Sequence, residues 1–281
     1  MRRAVVALLA LLAACSSGTT PSRTPTARPT PDYGVQMWSG EPDGSNNCGD
    51  FAVGWQSPEL GGDGPRATLH AIDGDNMVLD LEGRDELEQL MPLWCGNVAG
   101  DGRYELATQR YTGGAHCCYT VRVDTLDGPT LLERDLGNYG GLEPKDLDDD
   151  GPDELVGSSD VLAYFGDLPY AATQPIPLVF AFRDGRYVEA TGAFPEVVRD
   201  SLDEVRKALT LKAGSADESD AARALALSMF AHYVILGDER EWLDAVDRTA
   251  TEGVASWLRE HADEAAALVR GEATPAPQGD G

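Results

Sequence analysis

Two hydrophobic periods divide the chain after its first 31 residues. From residue 32 to 193, short apolar runs alternate with turns rich in Gly and Asp. Three pairs of such runs flank an Asp-Gly dipeptide, at 73–74, 127–128 and 184–185. An Asp-Gly turn between strand-like runs is typical of a β-hairpin. We therefore predict an antiparallel, hairpin-rich β domain over residues 32–193 and not a doubly wound α/β fold.

A helical period replaces this pattern over residues 194–271. Apolar residues recur there at intervals of three and four, in one series from Val198 and in another from Leu225. Gly237 follows the second series as a typical helix stop. Two further amphipathic segments occupy 239–250 and 253–270. The chain is thus predicted to be an α+β protein, with four helices after the hairpins and a disordered tail at 272–281.

The first 14 residues have the pattern of an export signal. Arg2 and Arg3 precede an apolar stretch, residues 4–14, that is shorter than the roughly 20 residues of a membrane-spanning helix. The stretch leads into Leu-Ala-Ala-Cys at 12–15, which resembles the lipobox of bacterial lipoproteins. The resemblance implies cleavage before Cys15, lipidation of its thiol and a membrane anchor on the outer side of the cytoplasmic membrane. An ordinary secretory signal with a chance cysteine is the alternative.

Two compositional features complete the picture of an exported chain. Residues 15–31 are rich in Ser, Thr and Pro and lack large apolar side chains, so they are predicted to be a disordered tether. The whole chain has 22 basic and 48 acidic residues, a net charge of -26. Such a charge excludes nucleic acid as a partner and favours cations or cationic partners. An acidic surface that only aids solubility is the alternative.

The cysteines predict disulfides in an oxidising compartment. With Cys15 lipidated, an even set of four remains: Cys48, Cys95, Cys117 and Cys118. A bridge between the adjacent Cys117 and Cys118 would close a strained ring. We therefore expect Cys48 and Cys95 each to pair with one member of the adjacent pair, in either order.

The segment 146–155 carries the clearest chemical signal. It contains Asp-Leu-Asp-Asp-Asp-Gly-Pro-Asp-Glu-Leu, with carboxylates at positions 1, 3, 5 and 9 and a glycine at position 6. This pattern suits a hard cation that takes six to eight oxygen ligands. The predicted calcium ligands are the side chains of Asp146, Asp148, Asp150 and Glu154 and the carbonyl of Pro152. Position 12 is Gly157, so the loop is not an EF-hand. An acidic turn that binds no ion is the alternative.

Residues 97–106 repeat this frame earlier in the chain. Oxygen ligands recur at positions 1, 5 and 9, as Asn97, Asp101 and Glu105, but position 3 is Ala99. The missing carboxylate predicts weaker calcium binding or a purely structural turn.

Both loops, with Gly, two residues, Glu and Leu after the acidic run, resemble the FG-GAP or VCBS-type repeats of bacterial surface proteins. The run Gly-Gly-Ala-His-Cys-Cys at 113–118 is similar to a signature of such exported, largely uncharacterised proteins. The resemblance covers residues 95–162 and implies propeller-blade-like hairpin units, a calcium-holding loop and no enzymatic activity. Two acidic loops are too few for the four to eight blades of a closed propeller, so we expect two or three related units.

The function expected from these features is a calcium-stabilised, non-enzymatic binding or interaction module at the bacterial envelope. Its partner would be an extracytoplasmic protein or a glycan. His116 has no nucleophile elbow or protease signature to accompany it, and the chain contains no HExxH, GxGxxG or Walker-type motif. The alternative is an envelope hydrolase that uses paired carboxylates in an unrecognised site.

Overall fold

A computed structural model describes residues 34–271, apart from 39–40, 42, 58–64, 86, 115–116 and 239. For residues 113, 114 and 117 only the backbone is described. The predicted signal, the tether with Cys15, His116 and the tail at 272–281 therefore lie outside the described residues. Residues 32–281 belong to one unit.

The described strands form three antiparallel sheets. The first sheet contains β2 (Asp43–Cys48), β3 (Phe51–Gln56), β4 (Thr68–Asp73) and β5 (Asn76–Glu82), in that order. The second contains β1 (Gln36–Met37), β6 (Gln89–Gly96), β7 (Glu105–Gly114), β8 (Cys117–Thr125) and β9 (Thr130–Asp135). The third contains β10 (Glu143–Lys145), β11 (Glu154–Ser159), β12 (Ile176–Arg183) and β13 (Arg186–Glu189).

The three predicted Asp-Gly hairpins are confirmed. They join β4 to β5, β8 to β9 and β12 to β13. In the last of them Asp184 and Gly185 have φ angles of 52° and 79°. A two-residue hairpin turn of this type needs positive φ at both central positions, which Asp and Gly tolerate best.

Each sheet is built from four strands that follow one another along the chain, and β1 adds a short fifth strand to the second sheet. The sheets are open, so the predicted blade-like units without a closed propeller are confirmed. We call each set of four sequential strands a unit. The connection between the first two strands differs in length among the three units. Gly49 and Asp50 join β2 to β3, whereas residues 97–104 and 146–153 join β6 to β7 and β10 to β11. The two predicted acidic loops therefore occupy the same place in the second and third units.

The second sheet lies between the other two. Leu106 packs in a cluster with Val53 and Leu69 of the first sheet, whereas the next residue, Ala107, packs with Leu155 of the third. Successive side chains of a strand point to opposite faces, so one strand contributes to both cores.

Four helices follow the sheets, as predicted: α1 (Pro195–Gly214), α2 (Asp220–Leu236), α3 (Trp242–Thr249) and α4 (Glu252–Val269). Gly237 caps α2 in the left-handed conformation at φ 72°, which glycine adopts without steric cost. Phe194, at the start of α1, packs on Val179 and Ala181 of the third sheet. Among the described helices, none has the length and apolar character needed to cross a membrane.

The expected disulfide pairing is wrong. Cys48 bonds directly to Cys95, with their Cα atoms 5.7 Å apart. The two residues occupy the same position in consecutive units, near the end of the first strand, and both are buried in the core between the first and second sheets. Cys118 is also in a disulfide, and the side chain of Cys117 lies outside what is described.

Candidate metal centre and its companion loop

The loop 146–153 closes the hairpin between β10 and β11 and gathers three carboxylates. Ligand oxygens of Asp146, Asp148 and Glu154 all lie within 4.8 Å of one another. Glu154 is buried at the start of β11, while Asp148 is exposed. The group is therefore buried at Glu154 and open to solvent at Asp148. Its carboxylate oxygens are of the type that a hard divalent cation binds.

Backbone amides fold this loop around its own side chains. The amide of Leu147 donates to Glu154 Oε2 at 2.9 Å, and the amide of Asp149 donates to Asp146 Oδ1 at 2.8 Å. Gly151, at position 6, has a φ angle of 117°, a conformation that requires glycine. The sharp turn predicted at this glycine is therefore present, and it brings position 9 back beside position 1.

The other expected ligands belong to the same loop but not to the group of three. Asp150 lies beside Asp148, and the pKa of its carboxyl is raised by desolvation and by that neighbour. Pro152 is half-buried in the loop. The sequence reasoning missed Asp153, which is buried and whose pKa is raised to about 6, chiefly by burial and then by Asp146.

The companion loop, residues 97–104, reproduces the same anchor. Glu105 begins β7, and its Oε2 accepts from the amides of Val98 at 2.9 Å and Ala99 at 3.2 Å. Its side chain is fully buried, and its Oε1 has no hydrogen-bond partner among the described residues. Burial raises the pKa of Glu105 to about 7, as it does for Glu154. Position 9 thus has one structural role in both loops: it holds the amide of position 2.

The two loops differ at position 5. The Arg103 guanidinium donates to Asp101 Oδ2 from Nε at 2.9 Å and from Nη2 at 2.6 Å. This hydrogen bond lowers the pKa of Asp101. The loop therefore supplies its own cation to the carboxylate that was expected to bind calcium. Arg103 stands at position 7, where the other loop has Pro152, and the sequence reasoning overlooked it.

The loops also touch each other. The amide of Asp153 donates to the carbonyl of Val98 at 2.8 Å. Below them the Tyr187 hydroxyl donates to the carbonyl of Asp153 at 3.3 Å. The pKa of Tyr187 is raised, first by burial and then by carboxylates of both loops, with Glu105 the largest of these. The two loops are therefore linked through their backbones, and a buried tyrosine binds the carbonyl of Asp153.

Comparison with known proteins adds one relative. No family model matches the chain, and no solved structure matches it. A stretch of 142 residues is 30% identical to a protein of Synechocystis sp. that is named as a probable thylakoid lumen protein. The match covers 48% of this chain and 42% of that protein, so the chain spans less than half the length of this relative. The likeness is consistent with an extracytoplasmic location.

Proposed function

We propose that this protein is an extracytoplasmic, lipid-anchored binding module whose fold is stabilised by calcium bound at the loop 146–154. The observation that carries the proposal is the approach of Asp146, Asp148 and Glu154 to within 4.8 Å of one another. The export pattern and the name of the relative support the location. The lipobox-like segment ending at Cys15 supports the anchor.

The electrostatics of the loop favour a bound cation. Glu154 is 2% exposed and its pKa is raised to about 7, mainly by burial and further by Asp148 and Asp150. A buried carboxylate near other carboxylates is costly to ionise, and a divalent cation offsets that cost because it attracts all of them at once. Calcium suits the loop better than magnesium, since it accepts flexible geometry and carbonyl ligands such as that of Pro152.

The buried glutamates of the two loops have structural roles that favour a binding module over a hydrolase. Glu105 and Glu154 each accept backbone amides and thereby hold their loops in shape. A catalytic carboxylate would have to face a substrate, whereas the Glu105 side chain is fully buried between strands.

Thermal unfolding of the full-length protein in excess calcium and in chelator tests the proposal. A ligand at about 100 times its dissociation constant stabilises the folded state by roughly 2.7 kcal/mol. We expect calcium to raise the midpoint of the parent, and Asp148→Ala to lose that response. Asp101→Ala is the matched control in the companion loop and should keep it.

Two outcomes would contradict the proposal. If the parent shows the same midpoint in calcium and in chelator, the loop is an acidic turn without a bound ion. If Asp101→Ala loses as much of the response as Asp148→Ala, the ion is not specific to the loop 146–154.

A further inference from the structure

The disulfide partner of Cys118 follows from the set of cysteines in the chain. Of the five, Cys48 and Cys95 are bonded to each other. Cys118 is also disulfide-bonded, so its partner is Cys15 or Cys117. The thiol of Cys15 is the proposed site of lipidation, and a lipidated sulfur forms no disulfide. The remaining partner is then Cys117, the neighbour of Cys118 in β8.

A bond between adjacent cysteines is more easily reduced than an ordinary disulfide. Neighbouring Cα atoms lie about 3.8 Å apart across a trans peptide bond, whereas a disulfide usually joins Cα atoms roughly 4.4–6.8 Å apart. The ring that neighbours close is therefore strained, and strain favours reduction. The Cα atoms of Cys48 and Cys95 are 5.7 Å apart, within the usual range.

Access also separates the two disulfides. Cys48 and Cys95 are 0% and 1% exposed, in the core between the first and second sheets. Cys118 is half-buried and lines a cleft of about 980 Å³, together with residues 133–137 of the second sheet and 268–271 after α4. Exchange requires an attacking thiol to reach a sulfur. A small thiol can therefore approach Cys118, whereas the core shields the other bond.

Hydrogen bonds hold the start of β8 independently of the disulfide. The amide of Cys118 donates to Thr112 Oγ1 at 2.9 Å, and the amide of Tyr119 donates to the carbonyl of Gly137 at 2.6 Å. Since neither contact involves a cysteine sulfur, the strand keeps both when the disulfide opens. Exchange at this position is thus a local event.

The charges near Cys118 select the kind of thiol. The Asp160 carboxylate lies against Gly137, in the space that a Cβ would take, and Asp135 Oδ1 accepts the Gly137 amide at 2.9 Å. Both aspartates line the cleft beside Cys118. The cleft is also lined by further acids and by arginines: Glu133, Glu189, Arg134, Arg183 and Arg270. Acids outnumber arginines there and the chain carries a charge of -26, so anionic thiols are disfavoured.

We propose that Cys117 and Cys118 form a vicinal disulfide that exchanges with neutral or cationic thiols in the cleft. A thiolate attacks Cys118 Sγ and forms a mixed disulfide with it. The bond between the two cysteines breaks, and Cys117 Sγ receives its electron pair and then a proton. A second thiolate attacks the first at the mixed disulfide, the two leave as their own disulfide, and Cys118 Sγ takes up a proton. Two thiols are oxidised and the cysteine pair is reduced. The proposal rests on the proposed function in one respect, since lipidation of Cys15 decides the pairing.

Peptide mapping of the full-length protein tests the pairing. Cys117 and Cys118 share one tryptic peptide, residues 111–122. After alkylation without reductant, we expect this peptide to contain an internal disulfide and no alkyl group. Cys117→Ser should leave Cys118 alkylated under the same conditions, whereas a bond from Cys118 to Cys15 would survive this substitution.

Graded reduction of the folded protein tests the exchange. Dithiothreitol is added in steps before alkylation, and the buried Cys48–Cys95 bond is the internal control. We expect double alkylation of the peptide 111–122 at a dithiothreitol concentration at least about tenfold below that needed to label Cys48 and Cys95.

Cysteamine, 2-mercaptoethanol and thioglycolate test the preference for charge, since they are small cationic, neutral and anionic thiols. Each rate of reduction at low salt is divided by the rate of the same thiol with oxidised N-acetyl-Cys-Cys-amide, which removes differences in intrinsic reactivity. We expect the relative rate to fall from cysteamine to thioglycolate. Asp160→Asn should raise the relative rate of thioglycolate about twofold, the effect of one charge acting through solvent. Asp80→Asn, at an exposed position of the first sheet, is the matched control and should leave it unchanged.

Three results would overturn this proposal: free thiols in the peptide 111–122 of the unreduced protein, reduction of both disulfides at the same dithiothreitol concentration, and a relative rate for thioglycolate that equals that for cysteamine. A tryptic peptide that joins Cys118 to Cys15 would overturn the lipid anchor as well. Failure of the calcium proposal gives a different result. The thermal midpoint would then not respond to calcium, while the pattern of alkylation would be the one expected here.

Discussion

The loops 97–105 and 146–154 start from one hairpin frame and reach opposite solutions. In both, the glutamate at position 9 is buried and accepts the amide of position 2. One loop leaves three carboxylates together, whereas the other pairs its aspartate with Arg103. The comparison shows that the frame sets the backbone, while position 7 decides whether the chain itself supplies a cation to the carboxylate at position 5.

Position 3 also differs in its surroundings. Ala99 is 4% exposed and lies beside Val98, whose carbonyl accepts from the other loop, whereas Asp148 is exposed. The companion loop is thus the inner one and the loop 146–154 the outer one. A carboxylate at position 3 is easily solvated in the outer loop and would be costly to bury in the inner loop.

The largest expected effect separates the two anchoring glutamates. In chelator, Glu105→Ala should lower the free energy of unfolding by about 3 kcal/mol, because two buried amides lose their acceptor. Glu154→Ala should cost about 1 kcal/mol, since it frees one half-buried amide. Urea unfolding measures both values. In calcium the difference between the two losses in free energy of unfolding should become smaller or change sign, because only Glu154→Ala also removes a proposed calcium ligand.

If both variants cost the same in chelator and in calcium, the division into an inner structural loop and an outer binding loop is wrong. Leu147→Ala separates the effect of packing from that of the hydrogen bond, since it removes a side chain that packs on Val179 and Phe194 but keeps the amide that donates to Glu154.

The second-largest expected effect is on the pH dependence of stability, which should distinguish the two loops. Burial raises the pKa of Glu105 and of Glu154 from 4.5 to about 7. Between these pH values the folded state keeps a proton that the unfolded chain has released, so stability in chelator should fall as pH rises from 4.5 to 7. The slope is up to about 1.4 kcal/mol per pH unit for one such group, and stability levels off above pH 7.

Glu105→Gln should flatten this slope in chelator and in calcium alike. Glu154→Gln should flatten it in chelator and also remove the calcium response. The parent's calcium response should weaken below pH 7, since the ion needs an ionised Glu154. Midpoints of urea unfolding across the pH range provide the measurement, and a parent-like slope in Glu105→Gln would refute the assignment.

The smallest expected effect tests whether an arginine can replace the ion. Pro152→Arg, added to Asp148→Ala, copies the Arg103 arrangement into the outer loop. It should raise the stability in chelator by about 0.5 kcal/mol over Asp148→Ala alone, as expected of an exposed ion pair. Arg103→Ala should lose a similar amount from the inner loop. A double variant that regains a calcium response would contradict this exchange.

Much of the fold was predictable because its signals are local. Each Asp-Gly turn lies between two apolar runs that pair with each other. Gly237 stops α2 through its own conformation. The signal for the loop 146–154 was also local, since the glycine at position 6 turns the chain and the glutamate at position 9 accepts a hydrogen bond from the amide of position 2.

The predictions from sequence failed where they depended on contacts between different sheets. The Cys48–Cys95 bond depends on how the first and second sheets pack, although the repeated Cys-Gly at 48–49 and 95–96 was a sign that the two cysteines are equivalent. The contact of Asp153 with Val98 depends likewise on the meeting of the second and third sheets. No pattern along the chain specifies that meeting.

The Cys48–Cys95 bond has a mechanical consequence for a chain held at its amino-terminal end. A pulling force enters through β1, where Gln36 pairs with Cys95, and soon meets the covalent link at Cys48. The chain between the two cysteines, which are 47 residues apart, cannot be extended while the bond is intact. Its contour length is roughly 160 Å at about 3.4 Å per residue. The strands β3, β4 and β5 are thus shielded from the load. The load passes from β2 through the bond to the end of β6, the strand that precedes the inner loop.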